Sequence, residues 1–538
     1  MSGQEFASSP VLITSLSWYN LTIQPQYSPK IDSLVSLTKL RFIFFLEICV
    51  ILFVLSLAGT LNILGTTDTI RTDNESYRSY YLADSRNVTD IPYFSQQMNG
   101  LCHWAAQAMA LESAGVSLDL AGECAVTGIG FSAGYVRYED IWIFVPGPSY
   151  RQQVTFANMA ELYGLDVEFY VDTDCSEFSS LFALSLQSNN VNWTEINGWD
   201  DAFQILKASI DDGYPVEVYV DLYNLPHPDY DFVRDLGLSD SNPSHSILIT
   251  GYNETAGVAY VMDPAIGVLE NSVAVPDDDS WFYEINFTSL NQGWSKSYAS
   301  AVIKPISAIN HDFTSILGNY ILDRLRGDRT SYAPASEEVF FWNFGSNAFR
   351  AMASELTESG LTSYLDEFDE YDLQIKARIL ENMGIELEAY LTLQYEAYRM
   401  AVSALPDVLP ELNLDEFVSE GEKAFEHFNP LTDNSSINNL FYTGGATIAS
   451  KTFNNIAYQY EHVLDGDLSS AVSEFEEDLA EIRHHLTSIA NAWDAAADAL
   501  ERELLEPGLP FIPSMTGIGA IIVLTLAILG KRRRDSRV

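Results

Sequence analysis

Pro92-Tyr-Phe-Ser-Gln-Gln-Met-Asn-Gly-Leu-Cys102-His-Trp-Ala-Ala-Gln-Ala-Met-Ala-Leu is one half of the pattern that decides this chain. The other half is His245-Ser-Ile-Leu-Ile-Thr-Gly-Tyr-Asn, which runs on to Tyr260-Val-Met-Asp263-Pro. Together they supply Gln, Cys, His and Asp in chain order. A cysteine alone is a weak nucleophile at neutral pH. It needs a base to hold it as thiolate, and the base needs a third group to orient it. The two stretches contain all three.

The spacing gives each residue a place. The run from Cys102 carries Trp104, Ala105, Ala108, Met109 and Leu111 at helical spacing and stops at Gly115, so Cys102 opens a helix. A helix start carries partial positive charge, which favours a thiolate. Its backbone N–H is free to meet a substrate carbonyl oxygen, and Gln96 or its neighbour Gln97 can bring a side-chain amide as a second oxyanion donor. His245 opens a strand after Ser241-Asn-Pro-Ser, and Asp263 ends the strand that returns after Tyr-Asn-Glu-Thr-Ala-Gly, a hairpin signal. Asp263 is therefore the orienting acid for His245. His227, in Leu-Pro-His-Pro-Asp, is the second choice as base. His103 is expected to point away from Cys102 on the helix.

This arrangement resembles the C39-like branch of the papain-like cysteine peptidases. The resemblance rests on Gln96, Cys102, His245-Ser-Ile-Leu-Ile-Thr-Gly-Tyr and Met262-Asp263-Pro264. Two further stretches make it similar to the N-terminal domain of butirosin biosynthesis protein H. They are Gly122-Glu-Cys-Ala-Val-Thr-Gly-Ile-Gly-Phe131 and Gly213-Tyr-Pro-Val-Glu-Val-Tyr-Val-Asp-Leu-Tyr-Asn-Leu-Pro226. The first resemblance implies a thiol peptidase. The second implies transfer of an acyl group from a carrier thioester to an amine through Cys102. Both imply catalytic roles for Cys102, His245, Asp263 and Gln96. One departure stands out: His103 follows the cysteine where C39 peptidases usually have Gly, and it can crowd the oxyanion pocket. An inactive binding or surface protein on the same scaffold is the rival from another class.

The rest of the chain reads as α+β followed by helices. Residues 86–306 form the papain-like domain, with helices at 119–126, 154–163 and 202–210, a Gly-rich turn at 127–134, and strands at 167–171, 216–222, 245–251, 258–262, 281–285 and 299–303. One early helix and a late antiparallel sheet is the layout of a papain-like fold. Residues 307–506 lose the strand signal and read as an all-α helical domain. Residues 375–400 are helical. Leu468, Val472, Phe475, Leu479, Ile482, Leu486, Ile489, Trp493, Ala496 and Leu500 alternate by four and three, one continuous seam that packs internally or self-associates.

Two apolar segments flank these regions. Residues 41–64 follow a tail at 1–40 and precede a linker at 65–85, and only Glu47 is charged within Phe42 to Leu64. They are a transmembrane segment or a signal peptide. Residues 515–530 follow the spacer 507–514 and run into the basic tail 531–538, which holds Lys531-Arg-Arg-Arg534. That tail reads as a single-pass anchor, and it also resembles archaeal surface-protein anchoring signals. Lys39, Arg41 and the terminal cations place both ends in the cytoplasm and the main domains outside the cell membrane. Asn-x-Ser/Thr triplets at Asn74, Asn87, Asn192, Asn253, Asn286 and Asn434 agree with that side.

The 538 residues carry 75 acidic and 28 basic side chains, a net charge of −47. Such a surface excludes nucleic acid as a partner, because binding phosphate needs concentrated Lys and Arg. The expected partners are the membrane and a peptide or acyl-thioester substrate. No cofactor or zinc spacing is apparent; Asp277-Asp-Asp279 reads as a solvated loop rather than a Ca²⁺ site. Of the four cysteines, Cys49 lies in the first apolar segment. Cys124 and Cys175 are either a disulfide or two buried thiols.

Overall fold

The computed structural model describes residues 85–97, 100–138, 140–147, 157, 159–188, 191–235, 245–267, 281–306, 312–327, 340–433 and 447–505. The apolar segments 41–64 and 515–530, the tails 1–40 and 531–538, the spacer 507–514 and the acidic loop Asp277-Asp-Asp279 lie outside the described residues. Among the described residues no helix is long and apolar enough to cross a membrane.

The amino-terminal part contains β1 (Ser85–Asn87), α1 (Cys102–Ser113), α2 (Leu120–Val126), β2 (Ala133–Tyr138), β3 (Ile141–Pro146), β4 (Leu165–Val171), α3 (Glu177–Ser188), β5 (Trp193–Glu195), α4 (Gly198–Asp211), β6 (Val216–Val220), α5 (Asp231–Asp235), β7 (His245–Asn253), β8 (Val258–Met262), β9 (Phe282–Asn286), α6 (Phe287–Trp294) and β10 (Ser300–Pro305). Its main sheet has the order β5-β4-β10-β6-β7-β8-β9, with β1 beside β7. The alternation in β6 explains why helices cover both faces. Val216, Val218 and Val220 enter a core with Phe203 and Leu206 of α4 and Trp294 of α6. Glu217 and Tyr219 face the other way, toward α1, and Tyr219 joins a second core with Trp104.

The carboxy-terminal part contains α7 (Phe313–Arg326), β11 (Phe340–Phe344), α8 (Ser346–Glu355), α9 (Glu358–Asp366), α10 (Leu373–Val408), α11 (Asp415–Phe428), α12 (Ile448–Tyr458), α13 (Leu468–Glu474) and α14 (Glu476–Leu504). It is helical as expected, with one difference. Phe340–Phe344 is a strand that pairs antiparallel with β2, giving a small sheet β11-β2-β3. Strands β2 and β3 were also not expected, because Gly134 and the charges Arg137, Glu139 and Asp140 blur their alternation.

The seam helix is two helices. Phe475 leaves helical geometry at φ −117° and ψ 20°, and Glu476, Glu477 and Asp478 begin α14 with acidic residues suited to a helix start. The seam side chains from Leu479 to Leu500 remain buried, against α11, α8 and α7. Trp493 stacks on Tyr398 at 4.8 Å and meets Phe349 edge-on at 5.0 Å. Burying a large apolar side chain contributes roughly 1.5–3 kcal/mol, so this seam is an internal brace.

One core joins the two parts. It runs from Trp104 and Phe131 to Tyr398, Phe417 and Trp493. Helix α10 lies directly on the Gly-rich turn: a Cβ at Gly130 would meet Ala397 O at 2.6 Å, so only a bare backbone fits there. Gln394 of α10 then donates to Gly130 O at 2.9 Å and accepts from Gly147 N at 2.8 Å.

Candidate active site

The site forms where α1, β7 and β8 begin or end. Cys102 is the first residue of α1 and is partly exposed. Leu101 occupies the N-cap position and has no side-chain oxygen to cap the first turn. Gly100, just before it, turns the chain with φ +92°, a conformation that favours glycine. The helix thus starts at the sulfur, with its amide end undressed by a cap.

His245 is the first residue of β7 and is buried. Its Nε2 lies 2.8 Å from Asp263 Oδ1, and Cys102 stands near enough to favour the charged form of the ring. With Nε2 committed to the carboxylate, Nδ1 is the nitrogen left for the sulfur. Burial alone lowers the basicity of His245. The negative charge of Asp263, the nearby Cys102 and the bond to Asp263 outweigh it and push the imidazole up from 6.5 to about 10.

Asp263 follows β8 and is fully buried. Burial opposes its charge, but the contact with His245, the Ala265 N–H at 3.0 Å and the Tyr230 hydroxyl at 2.8 Å hold the carboxyl below its usual range. Tyr283 adds a hydroxyl bond to Oδ2 at 3.0 Å. The Tyr93 hydroxyl bonds the Asp263 backbone oxygen at 3.2 Å. Tyr230, Tyr283 and Tyr93 were not foreseen. They come from separate segments, and only the fold brings them to Asp263, two on its carboxylate and one on its backbone oxygen.

The two glutamines separate. Gln96 is buried, and its N–H donates to Pro264 O at 2.9 Å, tying this loop to the residue after Asp263. Gln97 is exposed, with φ +57°, and its N–H meets Ser95 Oγ at 3.3 Å. His227 is held by Asp229: its Nδ1 accepts from Asp229 N at 3.2 Å. His103 does not stand in front of Cys102. It is buried against β6, 2.6 Å from Glu217 Oε1.

Cys124 and Cys175 are free thiols, so the disulfide alternative is set aside. Cys124 is buried in α2, in the core shared with α10, while Cys175 packs beside the opposite core. Burial first, then Glu123 and Asp119, raises the Cys124 thiol well above its usual value. Burial, with a hydrogen bond to Asp172, pushes Cys175 to about 12. Neither is a nucleophile at neutral pH. Among the described residues, no group of three or more His, Cys, Asp or Glu side chains could hold a metal ion.

Residues 88–281 match the Peptidase_C39 like family. The matched segment contains Gln96, Cys102, His245 and Asp263. The match supports the C39-like superfamily for this part of the chain, and with it a papain-like cysteine hydrolase or peptidase kind of function. No curated protein matches the chain.

Proposed function

We propose that this chain is a thiol enzyme that takes an acyl group from an amide or a thioester onto Cys102 and passes it to water or to an amine. The observation that carries this reading is His245 hydrogen-bonded to the buried carboxylate of Asp263, with Cys102 close enough to favour the charged ring. A charged imidazole between a buried carboxylate and a sulfur supports a thiolate–imidazolium pair.

The sulfur adds to the substrate carbonyl, and the carbonyl electron pair moves to oxygen. The Cys102 N–H and the Gln96 amide are the donors proposed for that oxyanion. The oxyanion collapses to an acyl-cysteine as His245 gives its proton to the departing amine or thiol. His245, now neutral, removes a proton from water or the acceptor amine as it attacks the acyl carbon. Cys102 leaves as thiolate and the imidazolium is restored. Asp263 keeps the ring in place through both halves.

The narrower likeness to butirosin biosynthesis protein H favours a thioester donor and an amine acceptor. The C39 likeness favours a peptide. The apolar segments at 41–64 and 515–530, each beside Lys and Arg, support a membrane-anchored enzyme facing away from the cytoplasm. Self-association by the helical region would need a surface other than its buried seam.

Intact-mass measurement tests the proposal. The full chain is mixed with a generic acyl thioester and, separately, with a peptide set. An acyl adduct on Cys102 that is absent in Cys102→Ala is expected. The substrate that labels faster separates acyltransferase from peptidase. An unlabelled Cys102 with every substrate sinks the enzyme reading and leaves the binding-protein alternative.

A further inference from the structure

The residue after Cys102 belongs to a buried polar ring that the acyl-transfer steps do not use. His103 Nδ1 lies 2.6 Å from Glu217 Oε1. Gln107, one helical turn on, places Nε2 at 2.8 Å from His103 Nε2 and 3.3 Å from Glu217 Oε2. The Tyr219 hydroxyl is 3.1 Å from His103 Nδ1. With Gln107 donating to His103 Nε2, the ring proton sits on Nδ1 and is donated to Glu217. His103, Gln107 and Glu217 are almost fully buried, at 2%, 0% and 1% exposure.

Apolar side chains would fill this space between helix and sheet without desolvating a carboxylate and an imidazole. What apolar contact lacks is direction. A hydrogen bond fixes distance and angle, and a satisfied buried network specifies one geometry. Here the fixed geometry connects the two reacting side chains. His103 is covalently next to Cys102. Glu217 is in β6, which pairs with β7 so that Val220 stands opposite His245. The route Cys102, His103, Glu217, β6, β7, His245 closes a loop around the sulfur–imidazole pair.

We propose that His103, through its bond to Glu217, is a positioning residue that sets Cys102 against His245. It touches no substrate and acts through the first turn of α1. The inference rests on the thiol-enzyme reading. Cys102 needs its first helical turn held at one height over the sheet, and displacements of the order of 1 Å cost such sites about 10²-fold in rate.

The test measures the rate constant for iodoacetamide alkylation of Cys102 in the full chain, from acidic to alkaline pH, by peptide mass spectrometry. His103→Ala and Glu217→Ala are each expected to slow the neutral-pH reaction by about 10²-fold at most and at least severalfold. Both should move the pH profile toward that of a His245→Ala chain. Glu217→Gln, which keeps an oxygen for His103, should recover most of the rate. His103→Leu keeps most of the volume without the bond to Glu217 and replaces the alanine variant if that chain does not fold; the same loss is expected. Lower melting temperatures with an unchanged Cys102 rate and pH profile would show a merely structural pair and overturn the inference alone. A Cys102 in the unmodified chain no faster than Cys175 would overturn the thiol-enzyme reading, and this inference with it.

Discussion

Gly100 and Leu393 face each other across the two parts of the chain: a Cβ built at Gly100 would stand 3.5 Å from Leu393 Cδ2. Gly100 turns the loop into Cys102, and Leu393 lies on α10. The helical region therefore reaches the loop that leads into Cys102, and it shares a core with the helix behind it.

A fragment spanning 86–306 should consequently fail to fold as a stable unit. It would lose β11 from the edge of β2 and expose Phe131, which packs on Tyr398 at 6.0 Å and Phe417 at 5.9 Å. Large apolar patches of that kind lead to aggregation. Expression of 86–306 beside 86–505, followed by limited proteolysis, checks this. A protease-resistant short fragment with a cooperative melt would show that the boundary near 306 separates independent domains.

The acid and the oxyanion donor should fail in different degrees. Cys102→Ala should abolish acyl-enzyme formation, because no bond can form. Asp263→Asn should cost about 10²–10⁴ in rate, the range of acid–base assistance. Gln96→Ala should cost about 10²–10³ if it supplies an oxyanion donor, and Gln97→Ala little, since Gln97 is exposed. Tyr283→Phe removes one bond to a carboxylate, worth about 1.5–3 kcal/mol, with Tyr230 and Ala265 still in place. Taken in full that is about 10–10²-fold in rate, so its loss should lie at or below that range. Single-turnover acylation of each variant measures the order; equal losses for Gln96→Ala and Gln97→Ala would remove Gln96 from the oxyanion role.

Alkylation should separate the thiols and expose the His245 charge. Cys124 and Cys175 are both held protonated at neutral pH by burial and nearby carboxylates, so iodoacetamide at pH 7 should label Cys102 first. The imidazolium of His245 survives until about pH 10 rather than 6.5. Acylation steps that need its proton should therefore hold through neutral pH and decline only toward pH 10. His245→Ala should abolish that alkaline limb, while His227→Ala should leave it. A limb centred near 6.5 in the unmodified chain would mean that Asp263 does not hold the charge.

The sequence exposed the groups proposed to react more readily than their surroundings. Cys102 could be placed because helical spacing starts at that residue, and His245 and Asp263 because a hairpin signal lies between their strands. The tyrosine shell on Asp263 was not legible, since Tyr283 carries no mark of the contact until β8 and β9 pair, and Tyr230 reaches it from the separate turn Pro228–Tyr230. The seam from Leu468 to Leu500 was legible as a buried stripe but not as two helices, because periodicity continues through the break at Phe475. β11 was missed because its partner β2 lies some two hundred residues earlier, and a single edge strand among helices has no local signature.

Glu123 gives the last prediction. It is fully buried in α2, and among the described residues neither carboxyl oxygen has a hydrogen-bond partner. Burial, and then the negative charge of Glu217, raises its carboxyl well above the ordinary 4.5. The folded chain thus keeps a proton that the unfolded chain releases at neutral pH. For a group raised on folding, stability is fully present below about 4.5 and is lost as pH climbs toward the folded value. Glu123→Gln keeps the shape and removes the ionisation. Its melting temperature should exceed that of the unmodified chain at pH 8, and the gap should close near pH 4.5. A gain of about 1 kcal/mol would appear as roughly 2–4 °C in a chain of ordinary domain size. Melting curves of both chains across that range decide it: a variant that is less stable at pH 8 would show that Glu123 is ionised and compensated in the fold.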